Sequence, residues 1–265
     1  MPRLAANLNF LFQELPLLDR FAAAAAVGFR AVELTNPYEV PAEAIAERLI
    51  RHRLMLALLN MPAGDAVQGE RGMGALPSRE AEFMRGAERA LSYARITRCP
   101  RVHALSGVWP AARSKTEGAE VLAANLRRAA ARFAEDGVGL TIEPINPRDI
   151  PGYFLNTPHE ALAILDTVAC DNVGLQLDLY HCQIVAGDLA GHLRRLAGRY
   201  VHIQIAGVPE RHEPDRGEVN YPYLLELIDA LGYAGYVGCE YRPAAGTIQG
   251  LGWARRWLEA TAYGL

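Results

Sequence analysis

The stretch "LTIEPIN" (residues 140–146) opens like a buried strand and closes on a charge. Leu140, Thr141 and Ile142 are apolar or β-branched, the composition of a pleated core segment. Glu143 then puts a carboxylate at the strand end, where unpaired burial is opposed by on the order of several kcal/mol. Pro144 stops the ladder and biases Glu143 towards extended backbone. A strand built this way needs a place where its last residue meets solvent, a partner or a cation.

Working outward, short apolar runs alternate with longer amphipathic ones. Strands are expected at 4–10, 30–34, 54–60, 101–105, 139–143, 173–178, 200–206 and 235–241. Helices are expected at 14–27, 41–52, 79–95, 117–135, 158–168, 182–196, 221–231 and 249–262. Eight strand–helix units argue for a parallel sheet, and in 265 residues they fit a (β/α)₈ barrel of the α/β class spanning 1–265 as one domain. The competitor is a doubly wound open sheet. It is disfavoured because "NLNFLFQE", after the first strand, has no glycine to cradle a phosphate. The connection 61–78 is long and carries Gly64, Gly69, Gly72 and Gly74, which marks it as a functional loop or lid.

The charge of −3 supplies no basic field for nucleic acid or an anionic membrane. "FAAAAAVGF" (21–29) is too short to span a bilayer, and no cleavable leader is visible. The four cysteines lack paired spacing, as expected of reduced thiols in a cytoplasm.

Four successive strands end on a group able to bind a metal: Glu143, Asp178 in "LQLDLYH", Gln204 in "HIQIAG" and Glu240 in "GCEYRP". In a barrel the C-terminal strand ends converge on one face, where active sites sit. Three carboxylates there repel one another, and a divalent cation relieves the repulsion. An all-oxygen set suits Mg²⁺ or Mn²⁺ better than Zn²⁺. Any one such carboxylate could instead cap a helix or face solvent; four in a row are harder to dismiss. Alternation in "YVHIQIA" puts Val201, Ile203 and Ile205 on one face and His202 and Gln204 on the other, so the polar set should point inward.

Four further residues suit an anionic substrate: His181, Arg211, Arg71 and His212. Each has a plain alternative, as a helix cap or a solubilising loop charge. His202 reads equally as a satisfied core histidine, and His52, His103, His159 and His192 show no metal-ligand spacing.

"TIEPIN", "LQLDLYH", "HIQIAGVPERHEPDRGEVNY", "GCEYRP" and the upstream "NMPAGDAVQGERGMGALPSREAEF" resemble the hydroxypyruvate isomerase family of xylose-isomerase-like barrels. The resemblance covers essentially the whole chain. It implies that Glu143, Asp178, Gln204 and Glu240 bind a divalent metal and that Glu143 and Glu240 are the catalytic acid/base pair. Glutamine at 204, where related epimerases place histidine, favours the hydroxypyruvate isomerase branch. The expected reaction interconverts hydroxypyruvate and 2-hydroxy-3-oxopropanoate. The alternatives are a 2-oxo-tetronate isomerase, a ketose 3-epimerase, an inosose dehydratase, or a barrel that binds a small acid without turning it over. The expected partner is a small hydroxy or oxo acid, with neither nucleic acid nor membrane, and with a homo-oligomer allowed.

Overall fold

The computed structural model describes residues 1–65 and 67–262, so Ala66 of the long loop and residues 263–265 lie outside the described residues. Eight parallel strands close into a barrel in chain order. They are β1 (Arg3–Asn7), β2 (Ala31–Leu34), β3 (Met55–Asn60), β4 (Arg101–His103), β5 (Gly139–Ile142), β6 (Val173–Asp178), β7 (Tyr200–Ile205) and β8 (Tyr236–Cys239). β8 closes onto β1, with Leu4 beside Val237 and Ala6 beside Cys239. No helix among the described residues is long and apolar enough to cross a membrane.

The connecting helices are α1 (Leu17–Ala26), α2 (Ala42–His52), α3 (Glu80–Thr97), α4 (Lys115–Ala134), α5 (Pro158–Val168), α6 (Leu179–Val185), α7 (Leu189–Arg195), α8 (Tyr221–Ala230), α9 (Thr247–Gly250) and α10 (Arg255–Ala262). Two expected helices are broken. The 182–196 segment divides into α6 and α7 because Gly187 and Asp188 both take left-handed backbone, at φ 63° and 45°. The 249–262 segment starts with α9 and a 3₁₀ turn (Leu251–Ala254) before α10. Elsewhere local chemistry sets the ends. Thr157 and Glu160 form a reciprocal capping box on α5, with Pro158 at its first position.

Two apolar regions follow from the strand period of two. Outward residues such as Val32, Val102, Ile142, Leu177, Ile203 and Cys239 pack beneath the helices in the large core. Ala5, Ala31 and Ala57 form a separate small cluster with Tyr236. The inner positions further along the strands are polar, unlike the branched apolar filling usual in such barrels. That polar interior sets the site.

The long loop is strapped down rather than free. Gly72 bridges Ser106, and Gly74 N–H donates to the Leu105 carbonyl at 3.1 Å. Asn125 Nδ2 donates to the Gly74 carbonyl at 2.9 Å, and Arg79 pairs with both Glu70 and Glu82. Gly72 has φ 100°, and a Cβ there would stand 2.5 Å from the Leu105 carbonyl oxygen. Gly72→Ala should therefore lower stability by at least about 1–2 kcal/mol through left-handed strain alone. Urea denaturation checks this; an unchanged midpoint would mean the loop does not need that backbone.

Candidate active site

Seven of the eight strands deliver buried polar groups at or just after their C-terminal ends. β1 supplies Asn7, β2 Glu33, β4 His103, β6 Gln176 and Asp178, and β7 His202 and Gln204. Glu143 and Glu240 follow β5 and β8 by one residue. All are buried. Their register is fixed by the sheet: Asp178 lies beside Gln204, and Gln204 beside Gly238.

Glu240 is held from three sides. Its Oε2 accepts from Gln204 Nε2 at 2.6 Å and from Asn7 Nδ2 at 2.9 Å. Its Oε1 accepts from Arg211 Nη2 at 2.5 Å. Arg211 also pairs with Asp149 at 2.8 Å, approaches Asp178 Oδ2 at 3.9 Å, and lies over the rings of Phe10 and Tyr180. This guanidinium is the nearest positive charge to the carboxylates. Burial opposes its charge, but Glu240, Asp178, Asp149 and Glu143 outweigh that and raise its pKa.

Glu143, Asp178 and Glu240 are pushed towards their protonated forms. Burial raises Glu143 well above the ordinary range, and repulsion from Glu240 and Asp178 adds to it. Burial lifts Asp178 to about 6 and Glu240 to about 8, in both cases against the pull of Arg211. The histidines are pushed the other way. Burial takes His181 well below its usual value, with Arg211 adding to the effect. It takes His103 to about 3, with His202 adding.

Asp178 does two jobs. Its Oδ1 accepts from Tyr180 N at 2.7 Å and caps α6, so the plain cap reading of this carboxylate is also true. Among the described residues its Oδ2 is buried without a hydrogen-bond partner, and so is Glu143 Oε1. Two buried carboxylate oxygens without hydrogen-bond partners, on residues whose ligand atoms can lie within 4.8 Å of one another, are a donor set that fits a hard divalent cation. His181 is the third member of this cluster: one ligand atom from each of Glu143, Asp178 and His181 can be chosen so that all lie within 4.8 Å.

The hydrogen bonds assign His181 another role. Asn146 Oδ1 accepts from Asp149 N at 2.9 Å, which turns Asn146 Nδ2 towards His181 Nδ1 at 2.6 Å. Nδ1 is then an acceptor, so the neutral ring carries its proton on Nε2, the nitrogen facing Glu143 and Asp178. That N–H can donate a hydrogen bond and has no lone pair to offer a cation.

These groups open into a cavity of about 600 Å³ whose lining includes Glu143, Glu240, His181, Arg211, His103 and Arg71. Arg148 and Arg242 also line it. Arg71 is half-buried, its guanidinium engaged with the Glu70 carbonyl at 2.7 Å. Of the residues expected from sequence, Asp178, Gln204 and His212 are not among its lining residues; His212 Nδ1 meets the Arg242 carbonyl at 2.7 Å. Gln204 lies below the cavity, with its amide nitrogen towards Glu240 and its oxygen towards Gln176.

Sequence reasoning passed over Asn7, Glu33, Asn146 and His103. Glu33 had a signal close to that of Glu143, a carboxylate near the end of an apolar strand, in "AVEL". His103 had only its place at the end of β4. Its ring nitrogens have no hydrogen-bond partner among the described residues, and Nδ1 stands 3.5 Å from Glu143 Oε2. Asn146 had no pattern at all.

The model of the family described as "Xylose isomerase-like TIM barrel" matches residues 21–257. The chain is similar to a 2-oxo-tetronate isomerase of Cupriavidus necator, 52% identical over 97% of this chain and 99% of that one. It is also similar to the hydroxypyruvate isomerase of Escherichia coli, 42% identical over 96% and 98% of the two chains. Among solved structures it resembles one described as an AP endonuclease, family 2, from Brucella melitensis. That match has TM-score 0.95 and 45% identity, over 97% of this chain and 99% of the other. Sequence, closed barrel and strand-end site agree: the chain belongs to the xylose isomerase-like TIM barrel family.

Proposed function

We propose that this chain is an aldose–ketose type isomerase of short 2-oxo acids, acting first on hydroxypyruvate to give 2-hydroxy-3-oxopropanoate. One observation carries the reading: Glu143 and Glu240, both buried and both with raised proton affinity, face the same cavity from β5 and β8. In such a pair one group enters the reaction protonated and the other ionised.

The reaction moves a carbonyl from C2 to C3. One glutamate takes the proton from C3, and that electron pair forms the C2–C3 double bond of an enediolate. The other returns a proton to C2 as the carbonyl forms at C3, and the hydroxyl proton passes from O3 to O2. Atoms and charge balance without an added oxidant. His181 Nε2–H donates to a substrate oxygen, and Asn146 holds its ring in that tautomer. Arg211 is already committed to Glu240 and Asp149, so it steadies charge at the reacting end. Arg71, with no carboxylate partner among the described residues, can pair with the carboxylate of the substrate. His212, outside the cavity lining, has no part in this scheme.

Glu143, Asp178 and Glu240 would hold a divalent cation, with Gln204 as the fourth ligand implied by resemblance. Oxygen donors favour Mg²⁺ or Mn²⁺. When bound, the cation supplies Lewis acidity that stabilises negative charge on the substrate oxygens.

The second reading, a 2-oxo-tetronate isomerase, is the same proton transfer on an acid one carbon longer. The name of the 52% identical relative favours it, and a cavity of about 600 Å³ has room for the extra carbon. An NMR time course with hydroxypyruvate, 2-oxo-tetronate and a neutral four-carbon ketose tests both. Turnover of an acid with at least roughly 10-fold preference over the ketose is expected from a guanidinium–carboxylate contact. Equal use of the ketose, or no turnover of either acid, contradicts the proposal.

The raised carboxylates also set a pH dependence. In the cation-free protein Glu240 titrates at about 8 against an ordinary 4.5. Between those values the folded chain binds a proton that the unfolded chain releases, so stability falls as pH rises through the window. Mg²⁺ or Mn²⁺ should reverse this, raising the thermal midpoint more at about pH 8 than at about pH 6. Equal midpoint gains at the two pH values would contradict a carboxylate site.

A further inference from the structure

A three-carbon acid is served by partners already named: Arg71 at its carboxylate, His181 at an oxygen, and two glutamates at the reacting carbons. Two polar side chains in the same cavity are left over. Asn60 ends β3 and His103 ends β4, and the ladder sets them side by side. Both line the cavity. Their backbones are tied as well. Met61 N–H donates to the His103 carbonyl at 2.8 Å, and Tyr38 Oη donates to the Asn60 carbonyl at 2.5 Å.

Their side chains lack partners. Asn60 Oδ1 and both ring nitrogens of His103 are buried with no hydrogen-bond partner among the described residues. A buried polar atom left so pays its full desolvation cost, and a native fold keeps one where something else is to meet it. Of the other described residues lining the cavity, only Glu143 shares this condition, and the proton transfer uses it.

The chemistry of the pair selects what it can meet. Burial holds the His103 ring neutral, so in either tautomer it has one N–H and one lone pair. The amide oxygen of Asn60 only accepts. A carboxylate or carbonyl oxygen also only accepts, and would set oxygen against oxygen at Asn60. A hydroxyl both donates and accepts at one oxygen, and matches the pair. His103 Nδ1 stands 3.5 Å from Glu143 Oε2, which puts that hydroxyl beside the reacting carbons.

We infer that Asn60 and His103 form a hydroxyl subsite for C4 of a four-carbon 2-oxo acid: the C4 hydroxyl donates to Asn60 Oδ1 and accepts from the ring N–H of His103. Both are then specificity-determining residues. The inference rests on the proposed isomerase reading and deepens it; a three-carbon acid is still turned over but leaves the subsite to water.

2-Oxo-tetronate and its 4-deoxy analogue, 3-hydroxy-2-oxobutanoate, differ only in that hydroxyl. Their kcat/KM values are compared in the unaltered protein, in Asn60→Leu and in His103→Phe. The unaltered protein should prefer the hydroxylated acid by roughly 10-fold or more, because the deoxy acid leaves buried polar groups unpaired. Each variant should cut that preference by at least about fivefold. A side chain that only packs, or only supports Glu143, lowers both acids alike and leaves the ratio unchanged. Equal use of the two acids by the unaltered protein, or an unchanged ratio in either variant, overturns the inference. Asn60 is half-buried, so Asn60→Leu still gives the answer if His103→Phe does not fold. If the unaltered protein turns over neither acid, the proposed function fails. Calorimetric Kd values for the same two acids then read the hydroxyl contact alone: a preference of roughly 10-fold or more supports it, and equal or absent binding overturns it.

Discussion

The burial of like charges is the constraint on which this barrel turns. Glu143, Asp178 and Glu240 lie at one mouth, with Glu33 directly below, and none is more than slightly exposed. Left alone, such a group would unfold the strand ends that carry it. The chain answers with one guanidinium, Arg211, and with amides that each serve two carboxylates. Among the described residues two carboxylate oxygens stay unanswered, Glu143 Oε1 and Asp178 Oδ2, and these mark where a cation fits. Function follows from what remains unsatisfied.

The fold spreads this load over different strands. A parallel barrel brings the ends of eight strands together, so no single strand carries more than one charged group at the mouth. The outer faces of the same strands stay apolar and bind the helices, which isolates the polar interior from the main core. The backbone supplies the other half. Gly238 leaves space for Glu33, and Gly72 lets the 61–78 loop lie against β4, setting Arg71 at the cavity wall.

Much of this was legible in the sequence because the strand period is short and strict. "TIEP", "LQLD", "HIQIAG" and "GCEY" each announce an apolar strand with a polar end, and order alone assigns them to one face. The split between α6 and α7 falls at Gly187 and Asp188, a glycine stop followed by a capping-type residue that the continuous 182–196 reading did not use. The partners of the site residues were not legible. That Asn146 sets the tautomer of His181, or that His103 reaches Glu143, depends on contacts 35 and 40 residues apart in sequence. Glu33 is the instructive miss. Its strand carries a signal close to that of "LTIEP", but it lacks the proline, and it ends inside the barrel rather than at the mouth.

The central claim is that Glu143 and Glu240 act as two separate proton-transfer groups on adjacent carbons. Exchange of the substrate C3 proton in D₂O, followed by NMR together with product formation, tests it most directly. The account predicts that Glu143→Gln and Glu240→Gln each lower turnover roughly 100-fold or more and that they differ in exchange. Replacing the abstracting residue stops exchange and product together; replacing the donating residue leaves exchange and stops product. Wild-type exchange and turnover in either variant would contradict it.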